Sequence, residues 1–132
     1  MEFKKPKNTD KITWTKHSIR KMRFYGLSEN RLKKVLRNPK RKEDGVAPET
    51  LAVMQRTGSK KHPTEIWLMY QPTAGHPKAN QPYTYKPQRL KIISAWRYPG
   101  ISPKGKEIPI PDDILEELNE TILNPHLNLM RV

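Results

Sequence analysis

A chain of 132 residues is long enough for one domain with a modest core, and its charge is strongly positive. It has 26 Lys and Arg against 13 Asp and Glu, and it has no Cys, which excludes disulfides, thiolate zinc sites and cysteine nucleophiles. It has no long apolar run, lipidation motif or internal repeat, which argues against a membrane partner and against a solenoid. Its polar N-terminus lacks an apolar signal segment, so a cytoplasmic protein is expected.

The positive charge is concentrated in one part of the chain. Residues 1–106 hold 25 Lys and Arg and 7 Asp and Glu, a net +18, whereas residues 107–132 hold 1 and 6, a net −5. A field of this sign attracts polyanions, because each phosphate that pairs with a cation releases condensed counterions. Nucleic acid is therefore the expected partner.

Two short helices are predicted after the polar lead-in of residues 1–11, which is expected to be flexible. Thr15 can cap a helix that runs to about Tyr25, and Gly26 supplies the left-handed residue that ends it. Ser28 can cap a second helix, which Asn38-Pro39 terminates. The pattern is typical of a helical hairpin.

The first helix is predicted to display a cationic face. Residues at helical spacing on this face are His17, Arg20, Lys21 and Phe24. Ile19 and Met22 form an apolar side, so we expect the helix to dock by that side and leave the cationic face open to a ligand. The simpler interpretation is a solvated basic helix without a site.

The middle of the chain favours strands. Residues 40–44 are predicted to form a charged edge strand, and residues 50–57, 64–71 and 89–98 show period-two alternation. In the last of these the predicted faces are Leu90, Ile92, Ser94 and Trp96 against Lys91, Ile93, Ala95 and Arg97. The Pro-rich residues 72–88 are predicted to be a loop insertion.

Residues 100–132 are predicted to form a Pro-rich linker and an acidic helix. Its apolar stripe is Ile114, Leu115, Leu118 and Ile122, and Asn124-Pro125 ends it. This helix either completes the core or covers the basic surface. The chain as a whole predicts an α+β fold over residues 12–99, in which a two-helix hairpin packs on a three- to four-stranded antiparallel sheet, with the C-terminal helix appended.

This order of elements resembles a family of small bacterial toxins. The matching features are a short strand, a helix with His17, Arg20 and Met22, the turn Gly26-Leu27-Ser28, a helix ending in Leu36-Arg37-Asn38-Pro39, and a last strand ending in Ile92-Ile93-Ser94-Ala95-Trp96-Arg97. Over residues 12–99 the pattern looks like the BrnT-like toxins of the RelE/ParE-like group, many of which are ribonucleases. The resemblance implies RNA as a partner, with an acidic antitoxin or the ribosome as further partners. The insertion at 72–88 and residues 100–132 depart from the family pattern.

The predicted catalytic residues are His17, Arg20 and Arg97, which match first-helix and last-strand positions of the family pattern. Metal-free RNA cleavage needs a base for the 2′-OH proton, cations for the pentacoordinate phosphorane and an acid for the leaving 5′-oxygen. His titrates near neutral pH and Arg binds phosphate in a bidentate manner. Because the 2′-OH is required, this chemistry cuts RNA and leaves DNA intact.

Further side chains are predicted to contact nucleic acid. They comprise ten cations, which would pair with phosphates, and two tyrosines of the insertion, which would stack on unpaired bases. They are Lys16, Lys21, Arg23, Lys33, Lys34, Arg37, Arg56, Lys60, Lys61, Lys91, Tyr83 and Tyr85.

Other residues give weaker signals. Glu65 fits either a general base or, more simply, a carboxylate in an ion pair. The remaining histidines, His62, His76 and His126, lack the spacing of metal ligands, so neither a metal site nor a cofactor is predicted. Two non-enzymatic functions fit the same sequence: a nucleic-acid-binding module without catalysis, and a basic domain that docks an acidic protein.

Overall fold

A sheet and three helices make up the structure, a computed structural model that describes residues 3–47, 49–72, 89–104 and 107–118. The predicted insertion at 72–88, apart from its first residue, lies outside these ranges, as do Tyr83, Tyr85, His76, Ile122 and His126. In chain order the elements are β1 (Ile12–Trp14), α1 (Lys16–Tyr25), α2 (Glu29–Arg37), β2 (Arg41–Asp44), β3 (Leu51–Gly58), β4 (Pro63–Pro72), β5 (Leu90–Pro99) and α3 (Asp112–Leu118).

The sheet has the order β1-β5-β4-β3-β2. Strands β2 to β5 form the predicted antiparallel meander, and β2 lies at an edge as expected. The α+β class is confirmed, but the sheet has five strands rather than the predicted three or four, and it is mixed rather than antiparallel throughout. β1 adds a fifth strand that pairs in parallel with β5, from Ile12 opposite Leu90 to Trp14 opposite Ile92.

Both helices of the hairpin begin and end where their capping residues predict. The Thr15 side chain accepts a hydrogen bond from the Ser18 N–H, and Ser28 does the same for Arg31. Gly26 ends α1 with φ of 66°, a left-handed conformation that a residue with a Cβ adopts only at a cost. These local signals fix the direction in which α1 presents its side chains.

The lead-in before β1 is hydrogen-bonded to the domain. The backbone N–H of Lys7 donates to the Glu29 carboxylate at 3.1 Å, and the N–H of Trp14 donates to the Asn8 side chain at 2.7 Å. Phe3 packs against the core beneath the helical hairpin. These contacts attach the lead-in to α2 at Lys7 and to β1 at Asn8.

The sheet has an apolar core on each face. The core under the helical hairpin contains Trp14, Met22, Leu27, Leu32, Val35, Val53, Ile66, Leu68, Tyr70, Ile92 and Ala95. The core on the opposite face contains Ala52, Met54, Trp67, Met69, Trp96, Ile108, Ile114 and Leu118. Strands β3 and β4 thus divide their side chains between the two faces as their alternation predicts. Residues 107–118 cover the second face.

A bulge in β5 makes the predicted alternation of that strand wrong. Tyr70 pairs with Ile92 and Met69 pairs with Ser94, so Ile93 has no partner across the ladder. The extra residue moves Ile92 to the hairpin side, whereas Ser94 and Trp96 lie on the other side. Ser94 therefore lies just past the irregularity, at a point where α1 reaches it.

Helix α3 is part of the second core. Ile114 and Leu118 are buried, and the indole N–H of Trp96 donates to the carbonyl of Pro109 at 2.7 Å. Leu115, predicted to lie in the buried stripe, is 42% exposed, which corrects that assignment. The side of α3 that packs on the core carries Ile114 and Leu118, and Leu115 lies on the solvent-exposed side.

Glu65 belongs to a buried polar network beside this core. Its carboxylate accepts hydrogen bonds from the Trp67 indole at 3.0 Å, the Ser102 hydroxyl at 2.6 Å and the Ser102 N–H at 3.1 Å. Arg41, also buried, donates to the Ser102 hydroxyl at 2.7 Å and lies over the Trp67 ring. Ser102 thus bridges the two charges. Glu65 therefore forms no direct ion pair within the described residues, and it is too buried to act as a base for a ligand in solvent.

Candidate functional site on helix α1

His17 lies near the start of α1 and is buried, with 6% of its surface exposed. Its Nε2 lies 2.9 Å from the Ser94 hydroxyl on β5. Its Nδ1 lies 2.5 Å from Oε2 of Glu117 on α3, in a close contact that lacks aligned hydrogen-bond geometry. The imidazole is therefore held between the sheet and the acidic helix.

One and two turns further along α1, more side chains contact the same acidic helix. Lys21 is buried and places its Nζ 2.8 Å from Glu117 Oε1 and 2.6 Å from Asp113 Oδ2. The exposed Arg20 reaches Glu117 Oε2 at 3.3 Å, and the Tyr25 hydroxyl donates to Asp113 at 3.2 Å. We call His17, Arg20, Lys21 and Tyr25 the α1 cluster.

Burial and charge set the protonation of this cluster. Burial lowers the pKa of His17 below its usual range and outweighs the opposing attraction of Glu117. Burial by itself would lower the pKa of Lys21, but hydrogen bonds to Asp113 and Glu117 raise it overall. Burial, together with the charge of Asp113, raises the pKa of Tyr25 to about 12. At neutral pH the cluster thus holds a neutral imidazole and a charged ammonium.

The pKa values of the two carboxylates on α3, Asp113 and Glu117, are lowered although their burial acts to raise them. Burial by itself would raise the pKa of Glu117, but its hydrogen bond with Lys21 and the charge of that ammonium lower it overall. Burial and Lys21 compete in the same way at Asp113, and the pKa of Asp113 is also lowered. Both groups are therefore ionised at neutral pH, and each contributes stability that is lost as the pH falls through its folded-state pKa.

Arg97 lies at the other end of α1, apart from His17. Its Nε donates to the carbonyl of Tyr25 at 2.7 Å, and its Nη2 donates to the carbonyl of Gly26 at 3.2 Å. These are carbonyls of the helix C-terminus, which a cation stabilises. His17 and Tyr25 are eight residues apart, about 12 Å along the helix axis. The structure brings His17 and Arg20 together through Glu117, but it does not bring Arg97 to them.

The cations predicted to bind nucleic acid are mostly on the surface. Lys33 is half-buried and lies 3.7 Å from Glu29, and Lys21 is buried under α3, so the predicted open cationic face of α1 is partly covered. The exposed members of the set are Lys16, Arg23, Lys34, Arg37, Arg56, Lys60, Lys61 and Lys91.

The contacts from Ser94 to His17 and from His17 to Glu117 follow the order of a nucleophile, a base and an orienting carboxylate. Ser94, however, is fully buried in a central part of β5. A substrate carbonyl has no route to its hydroxyl while the core is packed. The contact therefore orients the imidazole, and acyl transfer is not what this arrangement performs.

Sequence reasoning missed the partners of His17, although a signal for them is present. Asp113 and Glu117 are four residues apart on α3, so they lie on one face of that helix. His17 and Lys21 have the same spacing on α1, so an acidic pair on one helix can contact a basic pair on the other. Ser94 carried no signal because its position depends on the bulge. Phe24, which is 72% exposed beside Lys21, is a further surface aromatic on α1 that the prediction of base-stacking residues did not include.

The folded protein is expected to lose stability through His17 as the pH falls below about 6.5, the usual pKa of the imidazole. Its folded-state pKa lies below the unfolded value, so the unfolded chain binds the proton first and unfolding becomes easier as the pH falls. Urea unfolding of the wild type at pH 7 and pH 5.5 measures the difference. A His17→Gln variant is expected to lose most of it, whereas His62→Gln, at an exposed turn position, keeps it. An unchanged difference in His17→Gln contradicts the assignment.

Within the described ranges, no helix is both long and apolar enough to cross a membrane. The same ranges contain no group of three or more His, Cys, Asp or Glu side chains placed to hold a metal ion. In comparisons with family models, with curated proteins and with solved structures, this chain matches none.

Proposed function

We propose that this protein binds RNA through the basic surface formed by α1, α2 and the turn between β3 and β4. The observation that carries this proposal is a set of exposed cations, none of which forms a salt bridge within the described part of the chain. These are Lys16, Arg23, Lys34, Arg37, Arg56, Lys60 and Lys61. Surface cations without a carboxylate partner have their charge available for phosphates, and counterion release then favours binding.

We propose in addition that the bound RNA is cleaved without a metal, with His17 as the proton-transfer group. A neutral imidazole accepts the 2′-OH proton, and the resulting imidazolium donates it to the leaving 5′-oxygen. Arg20 and Lys21 stabilise the negative charge of the phosphorane. Arg97 has no part in this step, because its guanidinium is bonded to the end of α1.

A binding module without catalysis is the second candidate. The observation that favours it is the burial of His17 between Ser94 and Glu117, because a base must reach the 2′-OH. The two candidates share the same basic surface and differ only in whether His17 contacts RNA.

Binding to single-stranded RNA is expected to weaken steeply with salt, with a log–log slope of about 0.7 for each phosphate contacted. The double variant Lys34→Ala with Arg37→Ala, both on the last turns of α2, should reduce the slope by about 0.7 for each cation removed. Fluorescence anisotropy titrations at salt concentrations from about 50 to about 300 mM give the slopes of the wild type and of the double variant.

A matched control removes the same charge elsewhere. Lys42→Ala with Lys104→Ala takes two exposed cations outside the predicted set. It is expected to weaken binding less than the α2 variant. A flat salt dependence of the wild type would contradict the proposed function, and equal losses in both double variants would contradict the assignment of the surface.

A further inference from the structure

We propose that the α1 cluster is a binding site for a single phosphate group, and that the carboxylate of Glu117 fills this site when the ligand is absent. Donors from successive turns of one helix converge on this carboxylate. Lys21 contacts Oε1 at 2.8 Å, while His17 and Arg20 both contact Oε2, at 2.5 and 3.3 Å. Such a convergence of positive charge and N–H groups is how proteins hold oxyanions.

His17 and the backbone of α1 are positioned by parts of the protein other than α3. Ser94 on β5 holds Nε2 of His17, which leaves Nδ1 directed to the ligand position. The helix itself is fixed by the Thr15 cap and by Met22, which is fully buried in the core under the hairpin. The imidazole and the backbone of α1 are therefore set independently of Glu117, and the side chains of Lys21 and Arg20 extend from that fixed helix to its carboxylate.

Glu117 satisfies this site incompletely. A carboxylate is planar and has two oxygens, so Oε2 is shared between His17 and Arg20. The Nδ1 atom of His17, itself buried, makes its contact without hydrogen-bond alignment. A phosphate group places oxygens at the corners of a tetrahedron and can give each of the three donors its own acceptor. The geometry is thus better matched to phosphate than to the carboxylate present.

The exchange needs only a side-chain movement. The side chain of Glu117 is 32% exposed and that of Asp113 is 39% exposed, so both carboxylates lie at the surface above the buried His17 and Lys21. Ile114 and Leu118 keep α3 on the second core whatever happens to its charges. Rotation of Glu117 into water therefore opens the cluster while the fold stays intact.

That the phosphate belongs to RNA rests on the proposed function, since a free phosphate ion has the same chemistry. The test uses the full chain with Glu117→Gln, and Glu116→Gln as the control with the same change in net charge on the exposed side of α3. Binding of inorganic phosphate and of a dinucleotide with one phosphodiester is measured by calorimetry, and the His17 ring signals are followed by NMR. Glu117→Gln is expected to bind both ligands at least about tenfold more tightly than the wild type and Glu116→Gln.

The outcomes separate the two proposals. Equal affinities in Glu117→Gln and Glu116→Gln, or ligand shifts away from His17, overturn the site. Tighter binding of inorganic phosphate alone confirms an oxyanion site and overturns RNA as its source. If RNA binding fails the salt test while Glu117→Gln still gains phosphate affinity, the proposed function falls and the site stands. If Glu117→Gln does not fold, Asp113→Asn is measured against Glu116→Gln in the same way, because it removes the charge of one of the two carboxylates that pair with Lys21.

Discussion

Removing residues 107–132 is expected to leave a chain that does not fold stably. The described part of this segment supplies Ile108, Ile114 and Leu118 to the core that covers Trp67 and Trp96. Burial of the three side chains contributes about 1.5–3 kcal/mol each, or roughly 4.5–9 kcal/mol together. A small domain has a total stability of about 5–15 kcal/mol, so this loss removes most of it. Circular dichroism melting and size-exclusion chromatography of the truncated chain measure the result.

A pair of point variants tests the same idea without shortening the chain. Ile114→Ala is expected to cost about 2–5 kcal/mol, because the side chain is fully buried and the cavity cannot close completely. Leu115→Ala, at the neighbouring exposed position, should stay within about 0.5 kcal/mol of the wild type. If truncation and Ile114→Ala both leave the melting temperature unchanged, α3 is not part of the core.

His17→Ala is expected to lower the rate of RNA cleavage about a hundredfold or more, as loss of an acid–base group does. The assay uses single-stranded RNA in EDTA, with and without ribosomes, and a matched substrate with 2′-deoxyribose at the scissile position, which should remain intact. His62→Ala is the control, since its side chain is exposed in the turn after β3. A His17→Ala variant that is folded and cuts as fast as the wild type contradicts the catalytic assignment.

Arg97→Ala separates a catalytic from a structural effect. The sequence predicts Arg97 as a catalytic residue, whereas the structure places it on the carbonyls of Tyr25 and Gly26. Loss of these charged hydrogen bonds is expected to lower the unfolding free energy by about 1–3 kcal/mol and to leave the cleavage rate per folded molecule nearly unchanged. A hundredfold loss of rate in a fully folded Arg97→Ala protein would restore it to the catalytic set.

The parts of the fold that depend on local chemistry were predictable. Thr15, Gly26 and Ser28 mark helix ends by hydrogen bonds and backbone angles within a few residues, so the hairpin followed from the sequence. The faces of β3 and β4 followed from alternation because one-residue shifts would put apolar groups in water. The parallel pairing of β1 did not follow, because three residues carry too little pattern to select a partner so far along the chain.

The site was predictable only in part. Helical spacing predicted that His17, Arg20 and Lys21 share one surface, and in the structure all three contact the carboxylate of Glu117. That this carboxylate belongs to Glu117 depends on where α3 lies, and α3 is held by the burial of Ile114 and Leu118 as well as by the ion pairs of Lys21. The bulge at Ile93, which turns Ser94 toward His17, had no sequence signal such as a glycine.

The parallel pairing of β1 with β5 has a consequence for synthesis of the protein. The Thr15 hydroxyl, at the start of α1, donates to the carbonyl of Ile92, a residue 77 positions later. Because the chain leaves the ribosome from its N-terminus, β1 has no partner strand until β5 has emerged. Contacts of such long range slow folding, since the loop between them must close first. His17 therefore meets Ser94 only after β5 has emerged, and the acidic helix α3, which begins at Asp112, follows after the basic cluster has formed.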